Sequence, residues 1–225
     1  MYSKFLEKFN RKPWPYKWVE LKNLKISYSQ FGEDIILSNI FGYERTNGSY
    51  IDVGCSHPLN YSNSYKFYRK GWSGICIDAN NNYRSLWKKY RPNDIFINSA
   101  ITSINGTVKF TLNKNYPECS RVSNELDILK NTETIEVKSQ TLNHILINQN
   151  TLEKVDFLNI DCEGSDFEVL KTFDIDVWKP KVIAIEDDKS KKKSQIFEYL
   201  SDYNYKEFAV CAITRIMVLE NHDLF

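Results

Sequence analysis

The stretch SYIDVGCSHP at residues 49–58 decides how the rest of the chain is interpreted. Its first half is a short strand of aromatic and β-branched residues, and Gly54 after it lets the backbone come close to a ligand. Three later stretches also run from apolar residues to an acid: GICID at 74–78, VDFLNID at 155–161 and VIAIE at 182–186. Segments with helical spacing separate these strands. The alternation predicts a mostly parallel α/β sheet covered on both faces.

Further elements follow from the same patterns. Ser29 is a predicted N-cap of a helix that ends at Gly42, and Asn105-Gly106 is a predicted hairpin turn before a strand at 108–112. The last two strands, at 207–212 and 215–219, have a tight connection that predicts an antiparallel hairpin at one sheet edge. We also predict a strand at 95–98 and helices at 63–69, 83–90, 142–147, 167–173 and 191–200.

Two segments stand apart from this pattern. Residues 1–26 form a basic and aromatic arm, with seven Lys or Arg and two acids in the first 25 positions, and residues 27–225 form the predicted domain. The arm is predicted either to pack on the domain or to contact a membrane surface or a partner protein. Residues 113–136 are polar, and we interpret them as an excursion that shapes an acceptor site.

Composition excludes several classes of protein. The formal charge is +1, and no basic stripe runs along most of the chain, so a nucleic-acid partner is not expected. No apolar run approaches the roughly 18 residues that span a bilayer. The five cysteines form no CxxC pair, which disfavours a disulfide scaffold or a zinc site and favours a reducing, cytoplasmic location.

The first loop and the second strand together indicate the kind of cofactor. In open α/β sheets, ligands bind at the carboxyl ends of the strands, where Asp52, Asp78, Asp161 and Glu186 are expected to converge. The loop at 54–58 lacks the further glycines of a pyrophosphate-binding GxGxxG motif, whereas Asp78 can accept hydrogen bonds from both hydroxyls of a ribose. A nucleoside-type cofactor without pyrophosphate fits this pattern, and S-adenosylmethionine is the obvious one.

The chain resembles the FkbM-type methyltransferases in five stretches, which occur in the family's order over about residues 27–190. These stretches are YSQFGED at 28–34, YIDVG at 50–54 with His57-Pro58, KGWSGICID at 70–78, LNIDCEGSD at 158–166 and KPKVIAIE at 179–186. The resemblance implies a class I, Rossmann-like, doubly wound fold and methyl transfer from S-adenosylmethionine. It also implies a hydroxyl acceptor on a sugar, a glycan precursor or another small metabolite.

The resemblance also implies where the cofactor is held. Asp52, Gly54 and Ser56 would lie at the methionyl part, and Asp78 would hold the ribose. The segment after the third strand would lie near the adenine, and a helix before the first strand would fold over the cofactor as a lid. The residues of these last two regions are Asn98, Ser99 and Ala100, and Gln30 and Glu33.

Methyl transfer to a hydroxyl needs a group that takes or weakens the hydroxyl proton. Asp161 and Glu163 follow the fourth strand, next to the expected position of the methyl group, and Asp161 also borders the cofactor. Either can act as the general base, or Asp161, Glu163 and Glu186 can hold a Mg²⁺ that lowers the pKa of the hydroxyl. A third possibility is that these carboxylates only position the cofactor or support the structure. His57, in the cofactor loop, is the remaining catalytic candidate, and its alternative role is to pack the loop or orient its backbone.

Two other functions are weighed against the methyltransferase. A nicotinamide-dependent oxidoreductase would need a glycine-rich pyrophosphate loop, which Ser56 and Pro58 do not provide. A non-catalytic nucleoside-binding protein would use Asp78 but would not need Asp161 and Glu163.

Overall fold

The computed structural model describes residues 23–123, 131–187 and 194–220, and strands within these ranges form two sheets. The predictions for residues 1–22, which make up most of the arm, lie outside the described residues. In chain order, the strands are β1 (Ser49–Val53), β2 (Ser73–Asp78), β3 (Ile95–Asn98), β4 (Ala100–Ile101), β5 (Gly106–Asn113), β6 (Arg121–Val122), β7 (Thr132–Gln140), β8 (Phe157–Ile160), β9 (Val182–Glu186), β10 (Tyr205–Cys211) and β11 (Thr214–Leu219).

The larger sheet has the strand order β10-β11-β9-β8-β1-β2-β3. The pairs from β9 through β8, β1 and β2 to β3 are all parallel, which confirms a mostly parallel sheet. Strand β11 pairs antiparallel with both β9 and β10, so the predicted edge hairpin is also confirmed. The carboxyl ends of β1, β2, β8 and β9 therefore lie side by side at one edge of the sheet.

Helices cover both faces of this sheet. They are α1 (Glu33–Phe41), α2 (Tyr65–Tyr68), α3 (Arg84–Tyr90), α4 (Leu142–Gln149), α5 (Asp166–Lys171), α6 (Ile175–Trp178) and α7 (Gln195–Asp202). Strand residues alternate between two cores. Ile51, Ile75 and Leu158 pack with residues of α4–α7, whereas Tyr50, Cys76 and Phe157 pack with residues of α1–α3. This arrangement explains the nearly continuous apolar strands, because both faces are buried.

The smaller sheet has the order β4-β7-β5-β6 and corrects two predictions. Strand β5 follows the predicted turn at Asn105-Gly106, but its main partner is β7, with which it pairs over eight positions, and not the strand before the turn. Strand β7 begins inside the predicted 113–136 excursion, of which residues 124–130 lie outside the described residues. It was missed because its alternation is weak: Ile135 and Val137 stand among charged and polar residues.

The start of α1 also differs from the prediction. The helix begins at Glu33, and its N-cap residue is Gly32 in a left-handed conformation, not Ser29. The Ser29 hydroxyl still accepts hydrogen bonds from the backbone N–H groups of Gly32 and Asp34. Ser29 thus stabilises the turn before α1, in which Gly32 has a left-handed conformation.

None of the described helices combines the length and apolar character needed to cross a bilayer.

Candidate active site

A narrow cleft of about 50 Å³ opens at the carboxyl ends of the central strands, between the two sheets. Gly54, Asp78 and Asp161 line it from the larger sheet. Phe110, Pro117 and Val122 line it from the smaller sheet and its loop. None of the three was recognised from the sequence as a lining residue: Pro117 and Val122 belong to the segment that we interpreted as an excursion, and Phe110 belongs to the predicted strand at 108–112. Glu118, Ser120 and Arg121 line the same side, so this wall of the cleft offers both apolar and polar surface.

Gly54 brings two loops of the cleft into contact. Its φ is +75°, and a Cβ at this position would lie 1.7 Å from the carbonyl oxygen of Asp161. Its backbone N–H donates to the Ile77 carbonyl oxygen at 2.9 Å. A side chain would collide with backbone that has no room to move, so the loop after β1 can approach the loop after β8 only with glycine here.

Asp78 lies in the cleft at the end of β2 and is held by two backbone donors. Its Oδ2 accepts from the N–H of Ser56 and its Oδ1 from the N–H of Asn80, both at 2.7 Å. Burial raises the pKa of this carboxyl to about 6, although the two hydrogen bonds oppose the shift. Each carboxylate oxygen keeps a further acceptor position, as expected of a group that receives two ribose hydroxyls.

The segment after β3 divides between the cleft and its support. Ser99 and Ala100 line the cleft next to Asp78. The Asn98 side-chain amide donates to the backbone carbonyl oxygens of Asp78 and Ala79, at 2.9 and 2.8 Å. Asn98 is not among the residues that line the cleft, so it fixes the backbone around Asp78 from outside.

Asp52 lies beneath the loop and not in the cleft. It is 2% exposed and points to the face covered by α1–α3. Its carboxylate accepts hydrogen bonds from the Ser64 hydroxyl and from the Asn159 side-chain amide, the latter at 2.9 Å. Burial raises the pKa of Asp52 even though the Arg91 charge lowers it. The structure thus places Asp52 in a buried network of polar side chains that supports the loop after β1. Asn63 belongs to the same network through its hydrogen bond to Asn159.

Gln30 and Glu33 also lie away from the cleft. Gln30 is exposed, and Glu33, at the start of α1, is 2% exposed. The Glu33 carboxylate accepts from the Phe31 backbone N–H and from the Thr214 hydroxyl of β11, at 3.0 and 3.3 Å. These contacts tie the start of α1 to the edge hairpin, and the described residues show no approach of either side chain to Asp78.

The ends of β8 and β9 bring carboxylates together. Oxygen atoms of Asp161, Asp166 and Glu186 lie within 4.8 Å of one another. Burial and the charges of Glu186 and Asp166 raise the pKa of Asp161 well above its usual range, and Asp161 shares a hydrogen bond with Glu186. Burial raises the pKa of Asp166 to about 7, against hydrogen bonds from the N–H groups of Cys162 and Gly164. These oxygens are close enough for a proton or a hard cation to bridge them.

This cluster differs from the predicted metal set in one residue. Asp166 takes the place of Glu163, although Glu163 lies nearby, and burial raises the Glu163 pKa. Asp166 begins α5, five residues after Asp161, and it ends the LNIDCEGSD stretch. Its position at the start of a helix that closely follows Asp161 is the feature of the sequence that indicates this role.

A second cavity, of about 400 Å³, adjoins the carboxylates. Glu163, Asp166 and Glu186 line it, together with Phe167 and with Ser194, Gln195 and Ile196 at the start of α7. Arg121, on β6, lines both this cavity and the cleft. The two spaces are therefore neighbours, with the carboxylates of Asp161 and Asp166 at their boundary.

His57 accepts hydrogen bonds within the loop that follows β1. Its Nδ1 accepts hydrogen bonds from the backbone N–H groups of Leu59 and Asn60, at 3.2 and 3.1 Å. Burial lowers the pKa of His57, which favours the neutral ring needed to accept these bonds. His57 lines neither cavity, so the structure does not bring it to the carboxylates.

Comparison with known proteins identifies the family of this site. The model of the methyltransferase FkbM domain matches residues 48–207, more than two thirds of the chain. The chain belongs to the FkbM methyltransferase family. The match confirms the resemblance and spans β1 to the start of β10, including every residue of the FkbM site described above except Gln30 and Glu33. A search of curated proteins finds no match to this chain.

The residues of the FkbM cleft fit S-adenosylmethionine, the cofactor that the family suggests. Gly54 presents backbone without a side chain to the cleft, Asp78 offers two acceptor oxygens, and Phe110 and Ala100 offer apolar surface. These are the contacts required by an aliphatic chain, a ribose and an adenine ring, respectively.

Proposed function

We propose that this FkbM-family methyltransferase moves a methyl group from S-adenosylmethionine to a hydroxyl of a sugar, a glycan precursor or another small metabolite. The observation that carries the proposal is the position of Asp78. Its carboxylate faces a cleft between two sheets, with acceptor positions left for a ribose, and the cleft adjoins a second cavity lined by carboxylates. The strand order β3-β2-β1-β8-β9, with helices on both faces, supports a class I, doubly wound arrangement.

The chain's own residues would hold the cofactor in three places. Gly54 would let the backbone of the first loop lie against the methionyl part. Asp78 would accept hydrogen bonds from the ribose hydroxyls, and Phe110 with Ala100 would cover the adenine. When bound, S-adenosylmethionine would supply an electrophilic methyl group.

The acceptor would occupy the second cavity, with its hydroxyl directed at the boundary. Asp161 lines the cleft and Glu163 lines the cavity, so both stand close to this point. As the oxygen gains the methyl group, it gives its proton to one of these carboxylates. Burial and neighbouring charges raise the pKa of both, which makes each a stronger base in its ionised form than an exposed carboxylate.

The carboxylate cluster supports a second route for the same reaction. The oxygens of Asp161, Asp166 and Glu186 suit a hard cation such as Mg²⁺, which would lower the pKa of an acceptor hydroxyl. Chelation separates the two routes. Turnover that persists in EDTA supports a carboxylate base, whereas turnover that is lost in EDTA and restored by Mg²⁺ supports the metal.

Calorimetry tests the cofactor. The wild-type protein should bind S-adenosylmethionine and S-adenosylhomocysteine but not NAD, and Asp78→Ala should weaken binding by about 1.5–3 kcal/mol, since a charge-assisted acceptor is lost. Asp202→Asn, an exposed change on α7, is the matched control and should bind normally. Binding of NAD without binding of S-adenosylmethionine would refute the proposal in favour of the oxidoreductase, an alternative that the family match does not favour.

Turnover tests the base. Asp161→Asn or Glu163→Gln should lower kcat by about 10²–10⁴ while cofactor affinity changes much less. Full turnover in both variants would show that neither residue is the base. Because the acceptor is unidentified, we propose comparing the methylated glycans and metabolites of host cells with and without the gene by mass spectrometry.

The proposed location is the cytoplasm. This proposal rests on the sequence, in which the five cysteines form no CxxC pair. We also propose that the basic N-terminal arm contacts a membrane surface or a protein partner. A chain shortened to begin at residue 23 tests the membrane contact. Co-sedimentation with anionic vesicles that is unchanged by the truncation would contradict that contact.

A further inference from the structure

Ser56, in the loop after β1, is held at both ends of its backbone. Its N–H donates to Oδ2 of Asp78 at 2.7 Å, and its carbonyl oxygen accepts from the indole Nε1 of Trp87 at 2.8 Å. Its φ is +44°, a left-handed conformation that is uncommon outside glycine and needs outside support. Trp87 lies on α3, is 1% exposed and lines neither cavity. It therefore reaches Asp78 only through Ser56.

Arg91, which follows α3, holds the next part of the same loop. Its guanidinium lies over the Trp87 ring, 4.3 Å from the centroid, and is 1% exposed. It donates to the Pro58 carbonyl oxygen at 3.3 Å, to the Ser62 hydroxyl at 3.2 Å and to the Ser64 hydroxyl at 3.0 Å. Arg91 is paired with Asp94 at 2.6 Å, so its charge is compensated within the core. Trp87 and Arg91 thus hold the loop after β1 by hydrogen bonds at successive positions between Ser56 and Ser64.

We propose that Trp87 is a positioning residue for the cofactor: it fixes the backbone at Ser56, and through it the Asp78 carboxylate, for the ribose, while Arg91 packs on Trp87 and holds the following residues of the loop. The inference rests on the proposed function, because it assumes a ribose at Asp78. Trp87 fixes the peptide group after Ser56, and the N–H that holds Asp78 belongs to the peptide group before it. If the backbone turned about Ser56, one of the two backbone donors that orient the carboxylate would be lost. The ribose hydroxyls would then meet a carboxylate that is free to turn.

Trp87→Phe is the sharpest variant for a test. It removes the indole N–H and leaves an aromatic ring beneath the guanidinium of Arg91. Phe96 stacks on Trp87, with centroids 5.6 Å apart, and Phe96→Leu is the matched control. The control loosens the packing around Trp87 without touching the hydrogen bond to Ser56.

The readout is affinity for two ligands, S-adenosylhomocysteine and its 2′,3′-dideoxy analogue, measured by calorimetry. We expect Trp87→Phe to weaken the first by about fivefold, the value of one hydrogen bond, and the dideoxy analogue by less than twofold. Phe96→Leu should change both affinities by less than twofold. Equal loss for both ligands in Trp87→Phe would mean general loosening and would overturn the proposal, as would no loss for either.

Failure of the proposed function has a different signature, because the wild-type protein would then bind neither ligand. A second measurement needs no ligand and no variant. Hydrogen exchange at the Ser56 amide of the wild-type protein should be slowed at least tenfold relative to an unstructured peptide, since the amide is bonded to a buried carboxylate. Exchange at the unprotected rate would overturn the proposal even if Trp87→Phe fails to fold.

Discussion

Asp52 and Asp78 lie near the ends of neighbouring strands, yet their side chains have different surroundings. Asp52 lies within β1 on the face of Tyr50, so the alternation of the strand turns it into the core beneath α1–α3. Asp78 is the last residue of β2 and reaches the cleft. The position of an acid relative to the strand end therefore decides whether it meets a ligand or supports a loop.

Protonation of Asp78 should control cofactor affinity. Its pKa is raised to about 6, so the carboxyl is ionised at pH 7.5 and mostly protonated at pH 5. If only the ionised form accepts both ribose hydroxyls, affinity for S-adenosylhomocysteine should fall about tenfold over this range. Calorimetry across the range tests this. Asp78→Asn should remove the dependence, and a dependence that persists in the variant would assign it to another group.

Gly54 should tolerate no side chain. We expect Gly54→Ala to lower the free energy of unfolding by about 3 kcal/mol or more, because its Cβ would collide with the Asp161 carbonyl oxygen. Gly32→Ala is the control, since Gly32 has a similar φ of +99° with open space around it. It should cost only the backbone strain, about 1–2 kcal/mol. Urea unfolding measures both, and equal costs would contradict the proposed collision.

At the scale of elements, the register of β8 with β9 creates the carboxylate cluster. Ile160 pairs with Ile185, so the next residues, Asp161 and Glu186, stand side by side at the sheet edge. Asp166 joins them from the start of α5. Carboxylates at this distance repel one another when they are ionised, and this repulsion destabilises the fold. Such destabilising clusters are typical of functional sites, since a purely structural role does not require them.

Removing one of these charges should stabilise the protein at high pH. Burial, with a smaller contribution from the Glu186 charge, raises the folded pKa of Asp166 to about 7, above its unfolded value, so the destabilisation is fully present above pH 7 and fades as the pH falls toward 4. Glu186→Gln should therefore raise the free energy of unfolding by about 1 kcal/mol at pH 8 and by much less at pH 5. Urea unfolding at both values tests this against Glu198→Gln, an exposed control. A gain that is larger at pH 5 would contradict the argument.

At the scale of the whole molecule, the cleft joins the two sheets. Ala79 of the loop after β2 packs with Ala100, Phe110 and Val137 in the core of the smaller sheet, and three of these four residues line the cleft. A ligand in the cleft would contact both sheets at once. Its binding energy should therefore stabilise the described part of the molecule as one unit.

Thermal unfolding measures this coupling. S-adenosylhomocysteine at 100 times its Kd should add about 2.7 kcal/mol of stability and raise Tm by about 5–11 °C in a single transition. Phe110→Ala, which removes the buried ring from both the smaller core and the cleft wall, should reduce the shift at the same ligand concentration. Two transitions, of which only one moves with ligand, would show that the sheets unfold separately.

The sequence by itself determined the central sheet, because buried parallel strands need continuous apolar runs such as GICID, and such runs are visible without a structure. Its motifs also identified the family and brought Asp78 and Asp161 forward. Only the tertiary structure determined which acidic side chains lie close together. Asp166 enters the cluster and Asp52 leaves the cleft because strand register and side-chain direction set distances in space. Strand β7 escaped prediction because its alternation is weak, and the support from Trp87 escaped it because Trp87 lies 31 residues after Ser56 in the chain.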